Sequence, residues 1–278
     1  MHTTDIIITC MGRLEHLQQS LPLAITQQNS HCIVVDYSCP ENSGDWVENN
    51  HPDVTVVRVP GQNQFNLSAA RNAAIDHATG EWLLFIDADA LLAPKFISTI
   101  FSRITTESAL RTDPVNADKE KMGTFLIKRK LFDKIGGYDD VMQGWGYEDI
   151  DLYLRMERAG HLLYIMSDEL IDTITHSDKI RTDNYKWKDV NLSRGINRYY
   201  ARIKLDIETL LRKALPKQER SNLYKALIDN ISKTIEFGKP SRIEIALDAE
   251  TYRDIKRNRT LIYQFSREEI STLLAAEQ

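Results

Sequence analysis

Three short stretches of this 278-residue chain carry side chains that could do chemistry together. Asp87-Ala88-Asp89 sets two carboxylates around one small residue, directly after the apolar run WLLFI. Hard oxygen ligands suit Mg²⁺ or Mn²⁺, and such an ion can neutralise a diphosphate. Gly144-Trp145-Gly146-Tyr147 follows the same logic with different means: two glycines give a mobile loop, and the tryptophan offers a flat apolar face for a sugar ring. Glu148, Asp149 and Asp151 come directly after it, in the first turn of an expected helix, where negative charge is favoured. One of these carboxylates could accept the proton of an acceptor hydroxyl. His176, in DTITHSDK, stands downstream of both acidic sites and is a candidate third metal ligand. Each feature also has a plainer reading: a solvated loop after a strand, a helix start capped by acids, an exposed histidine.

The elements that must position these residues are legible in the pattern. DIIIT (5–9), CIVVD (32–36), VTVVRV (54–59) and WLLFID (82–87) are short apolar runs that predict buried strands. Between them LEHLQQSLPLAI repeats Leu14, Leu17, Leu21 and Ile25 at helical spacing, DWVENNH offers a short helix, and NLSAARNAAIDHATG reads as a helix started by Asn/Ser and stopped at Gly80. Strand and helix alternate, which predicts an α/β domain with a largely parallel sheet. Ligands of such sheets bind at the carboxyl ends of the strands, where Asp87 and Asp89 fall. Further on, PKFISTIFSRI predicts a helix and RTDPVNADKEKMG a loop. GTFLIKRKLFDKIGGY predicts a strand running into a short helix, YEDIDLYLRMERAG a helix, and LLYIM a strand. Beyond about 190 the chain reads as charged helices, including RYYARIKLDIETLLRKAL, SNLYKALIDNISKTIEF and SRIEIALDAETYRDIK.

Taken together, IIITCMGRLEHL, VVDYSCP, FNLSAARNAA and WLLFIDAD resemble the N-terminal half of GT-A glycosyltransferases of the family-2 type. GTFLIKRKLFDKIGGYDDVMQGWGYEDIDLYLRMERAG resembles the C-terminal catalytic segment of the beta-1,4-galactosyltransferases. The resemblance runs over roughly residues 4–180. It implies a GT-A domain over 1–190, with a nucleotide-binding half (1–92) and an acceptor and catalytic half (93–190), followed by a helical appendage (191–278). It implies an inverting, metal-dependent hexosyl transfer from a UDP-sugar, with galactose, N-acetylhexosamine and glucose as candidate sugars. Asp89 and His176 would ligate Mn²⁺ (or Mg²⁺), with Asp87 near the metal or the ribose. Asp149 would be the base and Glu148 would orient the acceptor, against Trp145, Gly144, Gly146 and Tyr147. Thr9, Arg13, Asp36, Phe65, Arg71 and Asp87 would face the donor. The sequence departs from the galactosyltransferases at Met11, Leu67, Tyr147 and Thr173.

Bulk properties narrow the classes. Hydrophobic residues make up 42% and charged residues 27%, as in a globular chain with a core. No apolar run reaches the 18 residues of a membrane span, and the N-terminus shows no signal peptide. Cys10, Cys32 and Cys39 form no metal-ligand spacing and read as reduced thiols, which points to a cytoplasmic chain. The net charge of -5 hides a basic stretch: residues 178–260 carry 20 Lys+Arg against 12 Asp+Glu. That stretch reads either as a solvated helical surface or as a face for an anionic acceptor, nucleic acid or the inner-membrane surface. Two further classes of function stay open at this point: a nucleotide-sugar-binding protein without turnover, and a nucleic-acid or membrane-surface binder acting through 178–260.

Overall fold

The computed structural model describes residues 2–103, 109–117, 121–175, 182–250, 252, 255–266 and 268. The chain forms two compact units, one of Met1–Asp140 with Glu148–Lys186, the other of Val141–Tyr147 with Trp187–Gln278.

The first unit is built on a seven-stranded sheet. Its strands are β1 (Thr4–Cys10), β2 (Ser30–Asp36), β3 (Thr55–Arg58), β4 (Trp82–Asp87), β6 (Ala109–Thr112), β7 (Phe125–Lys128) and β8 (Leu163–Met166), in the spatial order β3-β2-β1-β4-β7-β6-β8. β5 (Ala90–Leu92) and β9 (Ile171–Thr173) form a separate antiparallel pair. β1 lies between two parallel neighbours, β2 and β4, and is buried on both faces. Ile6 and Ile8 face one core with Leu17, Leu84 and Ile86; Ile7 faces the other with Val35, Leu83 and Phe85. Burial on both faces is why β1, β2 and β4 read as continuous apolar runs. Each fully buried isoleucine contributes about 1.5–3 kcal/mol.

Helices α1 (Leu14–Ile25), α2 (Ser43–Asn50), α3 (Leu67–Ala73), α4 (Phe96–Arg103), α5 (Arg129–Lys134) and α6 (Glu148–Arg158) belong to this unit. α1 buries Leu17, Ser20, Leu21 and Ala24, so Ala24 and not Ile25 completes its inner face. α3 starts at Asn66, whose side chain accepts from the Ala69 N–H at 3.0 Å, and it ends well before Gly80. Gly80 serves a different purpose: its N–H donates to the buried Asp5 carboxylate, and a Cβ there would strike Asp5. Ala109–Thr112 is a strand, where the sequence suggested a loop from Arg111 on; β7, paired antiparallel, supplies the hydrogen bonds that hold it.

The second unit consists of α7 (Val190–Leu211), α8 (Lys217–Phe237) and an antiparallel hairpin of β10 (Ser241–Leu247) and β11 (Arg259–Phe265). The appendage is therefore not helical throughout. SRIEIAL was expected to be helix, yet Ile243, Ile245 and Leu247 alternate with Arg242, Glu244 and Ala246, and that two-residue period faces the unit's core. All three cysteines are buried and unbridged. No helix among the described residues is long and apolar enough to cross a membrane.

Candidate functional site

The chain passes from β1 to β2 and β3 on one side and returns to β4 on the other, so the connection reverses between β1 and β4. Open α/β sheets bind ligands at such a point, outside the carboxyl ends of the strands. Thr9 and Asp87 are direct register partners there. Asp87 keeps 39% of its side chain exposed. The Asp89 carbonyl accepts the Ile174 N–H at 3.0 Å, and Ala90 pairs with Thr173, which fixes the turn after β4 against the β9 segment.

Behind Asp87 lies an arginine with almost no surface. Arg71, on α3, is 1% exposed and divides its guanidinium between two acids. Nη1 donates to Asp149 Oδ1 at 2.7 Å and to the Tyr138 hydroxyl at 3.1 Å. Nη2 donates to Asp87 Oδ1 at 3.1 Å and to the Gly123 carbonyl at 3.2 Å. Gly123 has to be glycine for the same arrangement, because a Cβ there would collide with the Asp87 carboxylate. The next residue, Asn72, clamps the backbone of Tyr138: Nδ2 donates to its carbonyl at 2.9 Å and Oδ1 accepts its N–H at 3.0 Å. Arg71 was expected on the donor side. The structure turns it inward, with its Nη groups occupied by protein acceptors.

The electrostatics of this cluster follow from burial against one cation. Burial works against the Arg71 charge, but Tyr138, Asp149, Asp87 and Glu148 outweigh it, and its pKa is raised well above the ordinary value. Glu148 is nearly buried; loss of solvent, then the Asp149 charge, push its carboxyl up to about 8. Burial also raises Asp149, with the Asp87 charge acting in the same sense while Arg71 and Tyr138 oppose it. Asp149 retains 21% of its side chain exposed. Tyr138, Tyr153 and Tyr185 are buried phenols whose pKa values burial raises, so they stay neutral. A neutral Glu148 can donate a hydrogen bond, and an ionised Asp149 beside Arg71 can accept a proton.

The remaining sequence-predicted residues are placed as follows. Arg13 immediately precedes α1, and its carbonyl accepts the Leu17 N–H at 3.0 Å. Asp36, at the end of β2, is buried and accepts the Cys39 N–H at 2.8 Å and the Gly44 N–H at 2.7 Å, with Arg58 at 3.7 Å. Those bonds hold the turn into α2. Phe65 packs edge-on between Tyr37 and Tyr185, with ring centroids 5.6 and 5.2 Å away, and its N–H donates to the Asn184 carbonyl at 2.6 Å. Asn184 Nδ2 donates in turn to the Met11 carbonyl at 2.8 Å, so residues 184–185 close over the β1–α1 turn. His176 lies outside the described residues.

Gly144, Trp145, Gly146 and Tyr147 belong to the second unit. The loop was expected to be mobile; here it is pinned. The Trp145 N–H donates to Ser193 Oγ at 2.7 Å, Ser193 Oγ donates back to the Trp145 carbonyl at 3.0 Å, and Asn197 Nδ2 reaches the Gly146 carbonyl at 2.8 Å. The Gln143 N–H donates to the Tyr224 hydroxyl at 3.0 Å. Gly144 has φ +77°, and a Cβ there would strike Ser193 and Trp187. Tyr147 has φ +76°, a region that favours glycine, directly before the acidic pair. The sequence reading missed Tyr138, Gly123, Asn184 and Tyr185. Gly136-Gly137 was read only as a helix stop, although the turn it makes is what presents Tyr138.

Asp87 and Asp89 offer hard oxygen donors at the end of β4, and Asp87 is accessible, a donor set that suits Mn²⁺ or Mg²⁺. Among the described residues no three His, Cys, Asp or Glu side chains cluster closely enough to hold a metal by themselves. Diphosphate oxygens would have to complete such a shell.

Comparison with known proteins agrees with this geometry. The glycosyl transferase family 2 profile matches residues 5–138, and the profile described as the N-terminal domain of galactosyltransferase matches residues 113–179. The glycosyltransferase GlyA of Streptococcus pneumoniae is 20% identical over 96% of this chain and 42% of its own length. The glycosyltransferase SunS of Bacillus phage SPbeta is 41% identical over 21% of this chain and 14% of its own. The chain thus spans less than half the length of these relatives. Among solved structures, S. aureus TarS 1-349 in complex with UDP-GlcNAc superposes with a TM-score of 0.56 at 14% identity, over 84% of this chain and 73% of that one. The mannosyltransferase PcManGT of Pyrobaculum calidifontis, in complex with GDP-Man and Mn²⁺, gives 0.54 at 15% identity, over 86% and 76%. These likenesses establish the fold. The glycosyl transferase family 2 profile thus covers the sheet as far as α5, the galactosyltransferase profile runs on through the acidic helix start, and the chain has the GT-A fold.

Proposed function

We propose that this enzyme transfers a hexose from a nucleoside-diphosphate sugar, a UDP-sugar first among them, to an acceptor hydroxyl with inversion. The observation that carries the proposal is the pairing of Asp87, at the strand switch, with Asp149, at the start of α6, through one guanidinium. Asp149 is the base: it takes the acceptor's hydroxyl proton as the oxygen attacks the anomeric carbon and the nucleoside diphosphate departs. Asp149 keeps a fifth of its side chain open to the approaching group and is held in one orientation by Arg71. Glu148, neutral at pH 7, donates a hydrogen bond to a substrate oxygen. Thr9, Arg13 and Phe65 line the donor side, with Asp36 holding the turn beside them. Asp89 with Asp87, and His176 as a third ligand, would hold Mn²⁺ or Mg²⁺, which when bound supplies positive charge to the diphosphate. Trp145 and Tyr147 serve the acceptor.

The domain assignment goes with this reading: residues 1–190 are the transferase domain and 191–278 an appendage to it. The excess of base over acid in 178–260 supports an anionic acceptor or surface.

The test is a calorimetric screen of UDP-, GDP- and CMP-sugars with and without Mn²⁺. One nucleoside-diphosphate sugar should bind, and more tightly with the metal. Binding of none by the folded protein would sink the proposal.

A further inference from the structure

Arg71 has a property that the transfer chemistry does not by itself require. Placing a guanidinium at 1% exposure strips away its hydration, and an apolar side chain of similar volume would fill the space at less cost. What an apolar side chain cannot do is bond two carboxylates that come from different elements. Asp87 ends β4, Asp149 opens α6, and they lie 16 and 78 residues from Arg71 in the chain. A planar fork with separate Nη groups reaches both, and its plane fixes their relative orientation. The fork is itself held: Tyr138 and the Gly123 carbonyl take the second hydrogen of each Nη, and the guanidinium carbon sits 5.1 Å from the Tyr138 ring centroid. Asn72 fixes Tyr138 from the same helix.

We propose that Arg71 is a positioning residue, whose guanidinium sets the base Asp149 in register with the donor-side acid Asp87 so that proton acceptor and donor are aligned. This rests on the transferase reading above. Arg71 does not touch substrate; it acts through the two carboxylates. Asp149 is faced by Arg71 from α3, Asp87 from the end of β4, Tyr138 from the turn after α5, and Glu148 and Tyr153 from its own helix.

The test compares the wild type with Arg71→Lys, Asp149→Asn and the double variant. The readouts are thermal unfolding, donor KM, and kcat for release of nucleoside diphosphate, with water as acceptor where no other is known. Lysine keeps the charge and loses the fork, so kcat should fall about 100-fold, the scale of an ångström-sized misplacement. Donor KM should change by less than about tenfold. In the Asp149→Asn background, Arg71→Lys should lower kcat by no more than about threefold, because the base that the fork aligns is already gone. An Arg71→Lys variant with wild-type kcat overturns the inference, and so does a double variant whose loss equals the product of the single losses. Should Arg71→Lys fail to unfold cooperatively, Tyr138→Phe decides. It removes one tether of the fork and should lower kcat about tenfold at unchanged donor KM, and an unchanged kcat overturns the proposal. A wild-type chain that neither binds a donor nor releases diphosphate removes the transferase reading itself, a result distinct from an active wild type matched by its Arg71→Lys variant.

Discussion

Asp87-Ala88-Asp89 and Glu148-Asp149 are both acidic pairs, and their surroundings differ in every respect that matters for chemistry. The first ends an apolar strand and opens to solvent at Asp87, which is 39% exposed. The second opens a helix and faces inward, with Glu148 nearly buried. Water and a cation can reach the outward pair, which suits it to a metal and a diphosphate. Burial raises the proton affinity of the inward pair, which suits it to handling protons. Similar side chains thus acquire different duties from the element ends that carry them, and Arg71 joins the two sets.

This contrast can be broken at several points. Asp149→Asn should lower the release of nucleoside diphosphate by about 10²–10⁴-fold, the usual contribution of a general base; near-normal turnover would take the proton-handling role away from the inward pair. Gly123→Ala acts on the outward pair, since its Cβ displaces the Asp87 carboxylate. Donor affinity should weaken about tenfold, roughly 1.4 kcal/mol, by calorimetry, with the unfolding temperature moved by only a few degrees. Unaltered donor affinity would mean that the position of Asp87 does not govern the donor. Glu148→Gln gives the smallest effect and the sharpest reading of burial. With its folded pKa near 8 against about 4.3 unfolded, the folded chain binds the extra proton between those values. Stability of the wild type therefore falls as pH rises through that window, and the glutamine variant lacks this dependence. The unfolding temperature of the variant relative to wild type should climb from pH 5 to pH 8; parallel curves would show that Glu148 is not held neutral.

The parallel core was legible because burial on both faces leaves a continuous apolar signature in TDIIITC and WLLFID. The acidic pairs were legible as residue types at element ends. Arg71 was legible through the resemblance as a donor-side residue, but its burial between two acids was not, because only pairing with residues 16 and 78 positions away reveals it. Ala109–Thr112 was missed for a related reason: four residues with one arginine carry too little pattern, and the neighbouring strands decide the outcome. SRIEIAL carried a readable alternation, overridden by the helical charge pattern around it. The pinning of Gly144–Tyr147 depended on Ser193, Asn197 and Tyr224, which no local reading could have connected to it.

The division between the two acidic pairs is tested most directly by donor calorimetry, with and without Mn²⁺, on Asp89→Asn and Asp149→Asn side by side. The account predicts that Asp89→Asn loses the tightening that metal gives, whereas Asp149→Asn binds the donor as the wild type does. Loss of metal-dependent donor binding in Asp149→Asn to the same degree would contradict it.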